Sequence, residues 1–395
     1  MKRLYILTSE FPFGTREPFL EDELPYLARE FECIEIVPFD ISNNNCRVLP
    51  PNVIVHDPIG ASKNIWKYRL RGIFSLRCFF LVLKEMFSLK PFASKKTFVN
   101  YIKFCLQINN FSNSKQLRFL EKKLCKDDVV YSYWGVTTNI LALIWRGKAL
   151  FVSRFHGAWD LWEDSYDEYV PFRHQIVKSL KKAIFISRKG ESYFKNKYPE
   201  ADTVTMPLGS MDYGVSSIKR NSNTIHVVSC STVYPLKRVD LLFKTLNSMT
   251  NYKIEWTHLG GGTDFNSLQL LVNNNLKSHL AVNLVGQVTH DEIMDYYKKH
   301  KFDVFVNLST MEGVPVSIME AISFDIPIVA TDVGATSEVV SSDCGILISS
   351  NPSIEEISKA IIHVINSQFT PRKFWNVHYN AEKNYSRFAK LISTL

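Results

Sequence analysis

Residues 304–321 read Val304-Phe305-Val306-Asn307-Leu308-Ser309-Thr310-Met311-Glu312-Gly313-Val314-Pro315-Val316-Ser317-Ile318-Met319-Glu320-Ala321. The apolar run 304–308 predicts a buried strand, Gly313 interrupts the loop after it, and a helix is expected to begin within 315–317. A strand that leads through a short loop into a helix is half of a parallel β-α-β unit. Ligands in such sheets sit at the carboxyl ends of the strands, where a helix N-terminus also offers free N–H groups and the positive end of its dipole. Glu312 belongs to that loop and Glu320 to the first or second helical turn. Eight residues leave the two about 80° out of line, so they are not a pair on one helical face. Ser317-x-x-Glu320 is also a capping-box pattern, which gives Glu320 a structural alternative.

The same alternation runs outward in both directions. Strands are predicted at 4–7, 34–37, 129–132, 150–153 and 183–186, then at 225–229, 254–259, 282–285, 304–308 and 326–330, with helices between, the first near 17–30. The polar stretch 216–224 reads as a linker. The fold class is therefore α/β, with two Rossmann-like halves, 1–212 and 213–372, followed by a helical tail over 373–395. A length of 395 residues suits two or three domains, and 46% apolar with 22% charged residues excludes a disordered or fibrous chain. No apolar run approaches the roughly 20 residues needed to span a bilayer, and Met1-Lys2-Arg3 leads straight into a strand, so a cytoplasmic protein is expected. The seven scattered cysteines form no C-x-x-C pair, which argues against a disulfide framework or a zinc site.

The other strand-end loops supply further candidates. Lys237 and Arg238 lie in 231–240 at the start of a helix, where cations oppose the dipole unless an anion is held there. A phosphate site and a pair of solvated cations are both open. No G-x-x-x-x-G-K-[ST] occurs. Gly260, Gly261 and Gly262 permit a close approach to a ligand or make a tight turn. Gly286-Gln287-Val288 is a second turn, followed by a Thr289/Glu292 capping box. In the first half, His156-Gly157 follows a strand, where the imidazole could donate to a ligand oxygen or be a satisfied structural group. Gly14 lies in the turn after the first strand, and Glu21, Asp22 and Glu23 complement the dipole of their own helix. Trp159, Asp160, Trp162 and Glu163 are weaker candidates for contact with a second substrate.

The net charge of +8 is local. Residues 61–100 hold nine Lys/Arg (63, 67, 69, 71, 77, 84, 90, 95, 96) against the single acid Glu85, interleaved with aromatics such as Trp66, Tyr68, Phe74, Phe80 and Phe92. This suits an anionic membrane surface, and equally a solvated basic face. Without a recognition motif, nucleic acid is not an expected partner.

Taken together, the Glu312-x7-Glu320 element, the Lys237 loop, Gly260-Gly261-Gly262, His156-Gly157 and Val333-Gly334 resemble a retaining glycosyltransferase of family 4 with the GT-B fold. Among these the chain is most similar to the bacterial enzymes of capsule, O-antigen or exopolysaccharide synthesis. The resemblance implies a UDP-, GDP- or dTDP-linked sugar as co-substrate, with no metal or other cofactor, held mainly by the second domain. A saccharide, in the lipid-linked case brought to the inner face of the cell membrane, would be the acceptor on the first domain, with reaction in a cleft between the two. By position, Lys237 would hold the diphosphate, Glu320 the ribose, Glu312 the transferring sugar, and the amides of Gly313, Val314, Pro315, Val316 and Ser317 its hydroxyls and phosphate; proline, lacking an N–H, could offer only its carbonyl. His156 would lie beside the anomeric carbon, Gly14 near the phosphates, and the tail would cross back to the first domain. One departure is Thr232, where many members carry a second diphosphate cation; Arg238 is the candidate replacement. No Asp-x-Asp metal motif occurs. A hydrolase using Glu312 and Glu320, an epimerase of the same architecture, and a catalytically silent sugar-nucleotide-binding subunit are the alternatives.

Overall fold

Parallel strands need crossover connections that cover both sheet faces, and the alternating pattern above supplies them. A computed structural model describes the chain except residues 1, 15, 42, 44, 61–75, 158, 159, 167 and 217–222. Four of the cations expected at a membrane (63, 67, 69, 71) and the candidate Trp159 lie outside the described residues. Met1–Pro207 with Tyr385–Leu395 form one unit and Leu208–Asn384 a second. No described helix is long and apolar enough to cross a membrane.

In the first unit, β1 (Arg3–Thr8), β2 (Cys33–Pro38), β3 (Val53–Val55), β4 (Val129–Ser132), β5 (Leu150–Phe155), β6 (Lys182–Phe185) and β7 (Thr203–Thr205) form one parallel sheet ordered β3-β2-β1-β4-β5-β6-β7. In the second, β8 (Thr224–Cys230), β9 (Lys253–Leu259), β10 (Leu280–Gly286), β11 (Val304–Asn307), β12 (Ile328–Thr331) and β13 (Gly345–Ile348) are ordered β10-β9-β8-β11-β12-β13. Strand order reverses between β1 and β4 and again between β8 and β11. At such a reversal, successive helices leave to opposite faces and open a crevice at the strand ends. The ten predicted strands are present. The three that the pattern missed, β3, β7 and β13, are short edge strands whose side chains are largely half-exposed and whose apolar runs are no longer than three residues.

Two local expectations change. Glu23 does not serve its helix dipole: it is fully buried and ion-pairs with Arg154 of β5, whose guanidinium lies 3.9 Å from the Phe388 ring centroid. The C-terminal tail is two helices, Pro371–His378 and Ala381–Ser393. Between them Ser210 N–H donates to Tyr379 O (3.0 Å) and Ala381 N–H donates to Ser210 O (3.1 Å), so the groups that would continue the helix are engaged by another strand of chain. Gly209 permits this approach, since a Cβ there would lie 2.5 Å from Ala381 Cα.

Candidate functional site

The reversal between β8 and β11 sets the loop after β8 beside the loop after β11. Thr310 N–H donates to Leu236 O at 2.8 Å, joining the two loops directly. Across this junction Lys237 Nζ lies 2.5 Å from Glu312 Oε1, 75 residues apart in sequence. Asn307, the last residue of β11, donates its amide to the same carboxylate oxygen at 3.2 Å. Both charged side chains are mostly covered but not sealed. Ser229, Ser231, Lys237, Asn307 and Ser309 line one depression here.

Backbone contacts fix these loops. Val233 N–H donates to Gly261 O (2.7 Å) and Gly260 N–H to Gly286 O (3.0 Å). Gly262 adopts φ 155°, and a Cβ on it would lie 2.4 Å from Val233 O and 2.9 Å from Thr232 Cγ2. The Glu312 loop is held likewise: a Cβ on Gly334 would meet Glu312 O at 1.8 Å, and Ala335 N–H donates to Gly313 O at 3.0 Å. Glycine at these positions serves loop-to-loop packing.

Arg238, the candidate replacement for the cation absent at Thr232, is engaged by groups of its own unit. Its backbone is left-handed, φ 48°, and it ends the turn that precedes the helix Val239–Ser248. The guanidinium donates to Leu308 O (2.6 Å), Ser309 O (3.2 Å), Ser350 O (2.8 Å) and Asn351 Oδ1 (3.3 Å). It ties strand ends together, and Lys237 alone of the two adjacent cations faces Glu312.

The helix Val316–Ser323 begins after Pro315, which makes no side-chain cap. Ile318 N–H donates to Pro315 O (3.2 Å), so the first-turn amides left without such an acceptor are those of Val316 and Ser317, an arrangement that favours an anion. Ser317 and Glu320 form no capping box. The Glu320 carboxylate is buried and instead meets His290 Nε2 at 3.0 Å, on the helix His290–Lys299 that follows the Gln287-Val288 turn. That turn's expected Thr289/Glu292 capping box is present. His290 and Asn307 were not singled out from the sequence. His290 lay inside a segment with a structural explanation, and Asn307 inside a strand.

The first unit arranges its strand-end loops differently. His156 Nε2 lies 2.9 Å from Tyr133 O, a carbonyl that can only accept, so Nε2 carries the proton. The ring packs against Tyr133 and Trp134 at centroid distances of 4.6 and 4.5 Å. Burial, reinforced by Arg154, pushes its pKa down to about 3, so the imidazole is neutral and its remaining nitrogen, Nδ1, can only accept. The expected donation from His156 to a ligand oxygen is therefore not available in this geometry. Asp160 is fully buried and accepts from His156 N–H (2.9 Å), Gly157 N–H (3.1 Å) and Gly135 N–H (3.2 Å). These bonds fix the shape of the loop. Glu163 is buried too, accepting from Tyr198 O–H at 2.6 Å. After β1, the Glu17 carboxylate gathers Ser9 N–H (2.6 Å), Glu10 N–H (3.1 Å), Phe11 N–H (2.8 Å) and Trp134 Nε1–H (2.7 Å). Gly14 N–H turns to Asn43 Oδ1 at 3.3 Å, so these four amides are already engaged. Among the described residues, no three His, Cys, Asp or Glu side chains are grouped to share a metal ion.

Residues 216–383 match the family model of glycosyl transferases, group 1. The chain is 24% identical over 253 residues to the GtfA subunit of a UDP-N-acetylglucosamine–peptide N-acetylglucosaminyltransferase from Streptococcus pneumoniae, covering 62% of this chain and 46% of that protein. It thus spans under half the length of that relative. Among solved structures, it superposes on the lipopolysaccharide outer core galactosyltransferase WaaB with a TM-score of 0.68 at 14% identity, covering both chains fully. It superposes also on HepE of Anabaena, in complex with UDP and glucose, with a TM-score of 0.63 at 14% identity and full coverage of both. The chain has the GT-B fold, and its second unit carries the sequence pattern of the group 1 glycosyl transferases.

Proposed function

We propose that this protein is a retaining, metal-independent glycosyltransferase of family 4 that moves a sugar from a nucleotide-sugar to a saccharide acceptor in the synthesis of a bacterial surface polysaccharide. The observation that carries this reading is the Lys237–Glu312 pair at 2.5 Å, at the strand-order reversal and on the loop that enters the helix Val316–Ser323. A lone lysine on the loop entering a helix without a side-chain cap suits a diphosphate leaving group, whose negative charge grows as the bond to the sugar breaks. In the reading, the donor diphosphate takes over Lys237, which frees Glu312 for the transferring sugar, while Glu320, oriented by His290, accepts from ribose hydroxyls. The bond from anomeric carbon to phosphate oxygen breaks, the acceptor oxygen bonds to that carbon from the same face, and the acceptor proton passes to the departing phosphate.

UDP is the first nucleotide to test, with GDP and dTDP as the other candidates; the relative's name and the ligand of HepE both include UDP. A catalytically silent nucleotide-sugar-binding subunit is the second reading, favoured by Thr232 together with the engagement of Arg238 by carbonyl groups. Thermal-shift measurement against UDP-, GDP- and dTDP-sugars, followed by an assay of nucleotide release, separates the two. Stabilisation with release supports the transferase, stabilisation without release supports the silent subunit, and no stabilisation by any of them contradicts both.

A further inference from the structure

The helices Leu76–Met86 and Lys95–Asn113 of the first unit lie together, Tyr101 O–H donating to Val82 O at 3.0 Å. Cys78, Leu81, Val82 and Glu85 recur at helical spacing and turn toward the core, where Cys78, Leu81 and Val82 join the apolar cluster around Tyr101 and Phe172. The opposite face carries Phe80, Lys84 and Phe87, spaced four and three apart. Phe80 is 65% exposed and Phe87 77%. In the connection between the helices, Leu89, at φ 59°, is 72% exposed and Phe92 53%, its ring stacked on Phe98 at 5.7 Å. Lys84, Lys90, Lys95, Lys96 and Lys103 are exposed around these rings.

From residue 78 to residue 113 the sole carboxylate is Glu85, and it faces inward. One oxygen accepts from Tyr169 O–H and Phe172 N–H, both at 2.9 Å, and the other from the Gln175 amide at 2.7 Å. The outer face therefore offers aromatic rings and positive charge with no negative charge among them. A second copy of the chain would set these lysines against their like. An anionic phospholipid surface complements both features, since rings settle at headgroup depth and lysines meet headgroup phosphates.

We propose that this helical hairpin docks the protein on an anionic bilayer. The proposal stands apart from the donor site, because binding to vesicles requires no turnover. The test is sedimentation of the full chain with vesicles of phosphatidylcholine, with and without phosphatidylglycerol. Two variants accompany it, Lys95→Glu/Lys96→Glu and Phe87→Ser/Leu89→Ser/Phe92→Ser; the substituted side chains are exposed, and circular dichroism checks that the fold is kept. The expected result is binding only with phosphatidylglycerol, weakened by salt, and reduced about tenfold or more by either variant. Absent binding, equal binding to neutral vesicles, or binding unchanged in both variants would overturn it. So would self-association that the serine variant abolishes in a protein that ignores vesicles.

Discussion

The strand-end loops of the two units have similar ingredients and opposite electrostatics. In the first unit, the loops after β1 and β5 are closed internally. Glu17 and Asp160 each collect three backbone N–H groups, and the proton of His156 is held by Tyr133 O. In the second unit, Lys237 and Glu312 are partnered chiefly by each other, on the loop that enters a helix with no side-chain cap. Buried charges satisfied by backbone set the shape of a loop, whereas an ion pair of two side chains can be exchanged for a ligand. The first arrangement holds a loop in shape, and the second suits the anion site proposed above.

Substitution should separate the two kinds of site. Lys237→Ala is expected to lower turnover by about 10²–10³-fold, the scale for losing one group that stabilises developing charge, with little change in unfolding. Asp160→Ala should do the reverse. Three buried N–H groups lose their acceptor, at a cost on the order of 3 kcal/mol read as a lower denaturant midpoint, while donor affinity of the folded protein is kept. A large loss of donor affinity in folded Asp160→Ala would break the comparison. Glu312→Gln sharpens it: without the competing carboxylate, a nucleoside diphosphate should bind a few-fold tighter by calorimetry, roughly 1 kcal/mol, even as turnover falls.

The smallest effect is in pH. His156 is held near a pKa of about 3 in the folded chain, against an ordinary 6.5 when unfolded. Between those values the unfolded chain binds a proton that the folded chain does not. The contribution is thus present in full above pH 6.5 and is lost as pH falls toward 3. His258, held near 4 by burial, acts in the same direction. The denaturant midpoint should therefore fall as pH drops from 6.5 to 4, and His156→Gln should make that fall shallower. An unchanged slope would show that His156 is not buried in its neutral form.

The fold class was legible in the alternation of apolar runs with helices, because central parallel strands are buried on both faces and read as continuous apolar segments. The edge strands β3, β7 and β13 were not, since their apolar runs, at most three residues long, are too short to read as strands. Lys237 and Glu312 were named from their places at strand ends, but their contact depends on a strand order that residue spacing does not state. Side-chain direction was less visible still. Nothing in Lys237-Arg238 indicates that the second residue adopts φ 48° and turns its guanidinium toward Leu308 and Ser350 carbonyls. Nor does His156-Gly157 indicate which acceptor holds the imidazole proton, because Tyr133 comes from the neighbouring strand's end. Local pattern identifies which loops carry candidates, while which loops meet and which partners their side chains take is tertiary.

The central claim is that Lys237 receives the diphosphate of a nucleotide-sugar. Isothermal titration of UDP, GDP and dTDP into the unmodified protein and into Lys237→Ala tests it most directly. The expected result is saturable binding of one nucleotide that weakens about tenfold or more in the variant, as loss of a charge-assisted contact requires. Equal affinity in both proteins, or no binding to either, would contradict it.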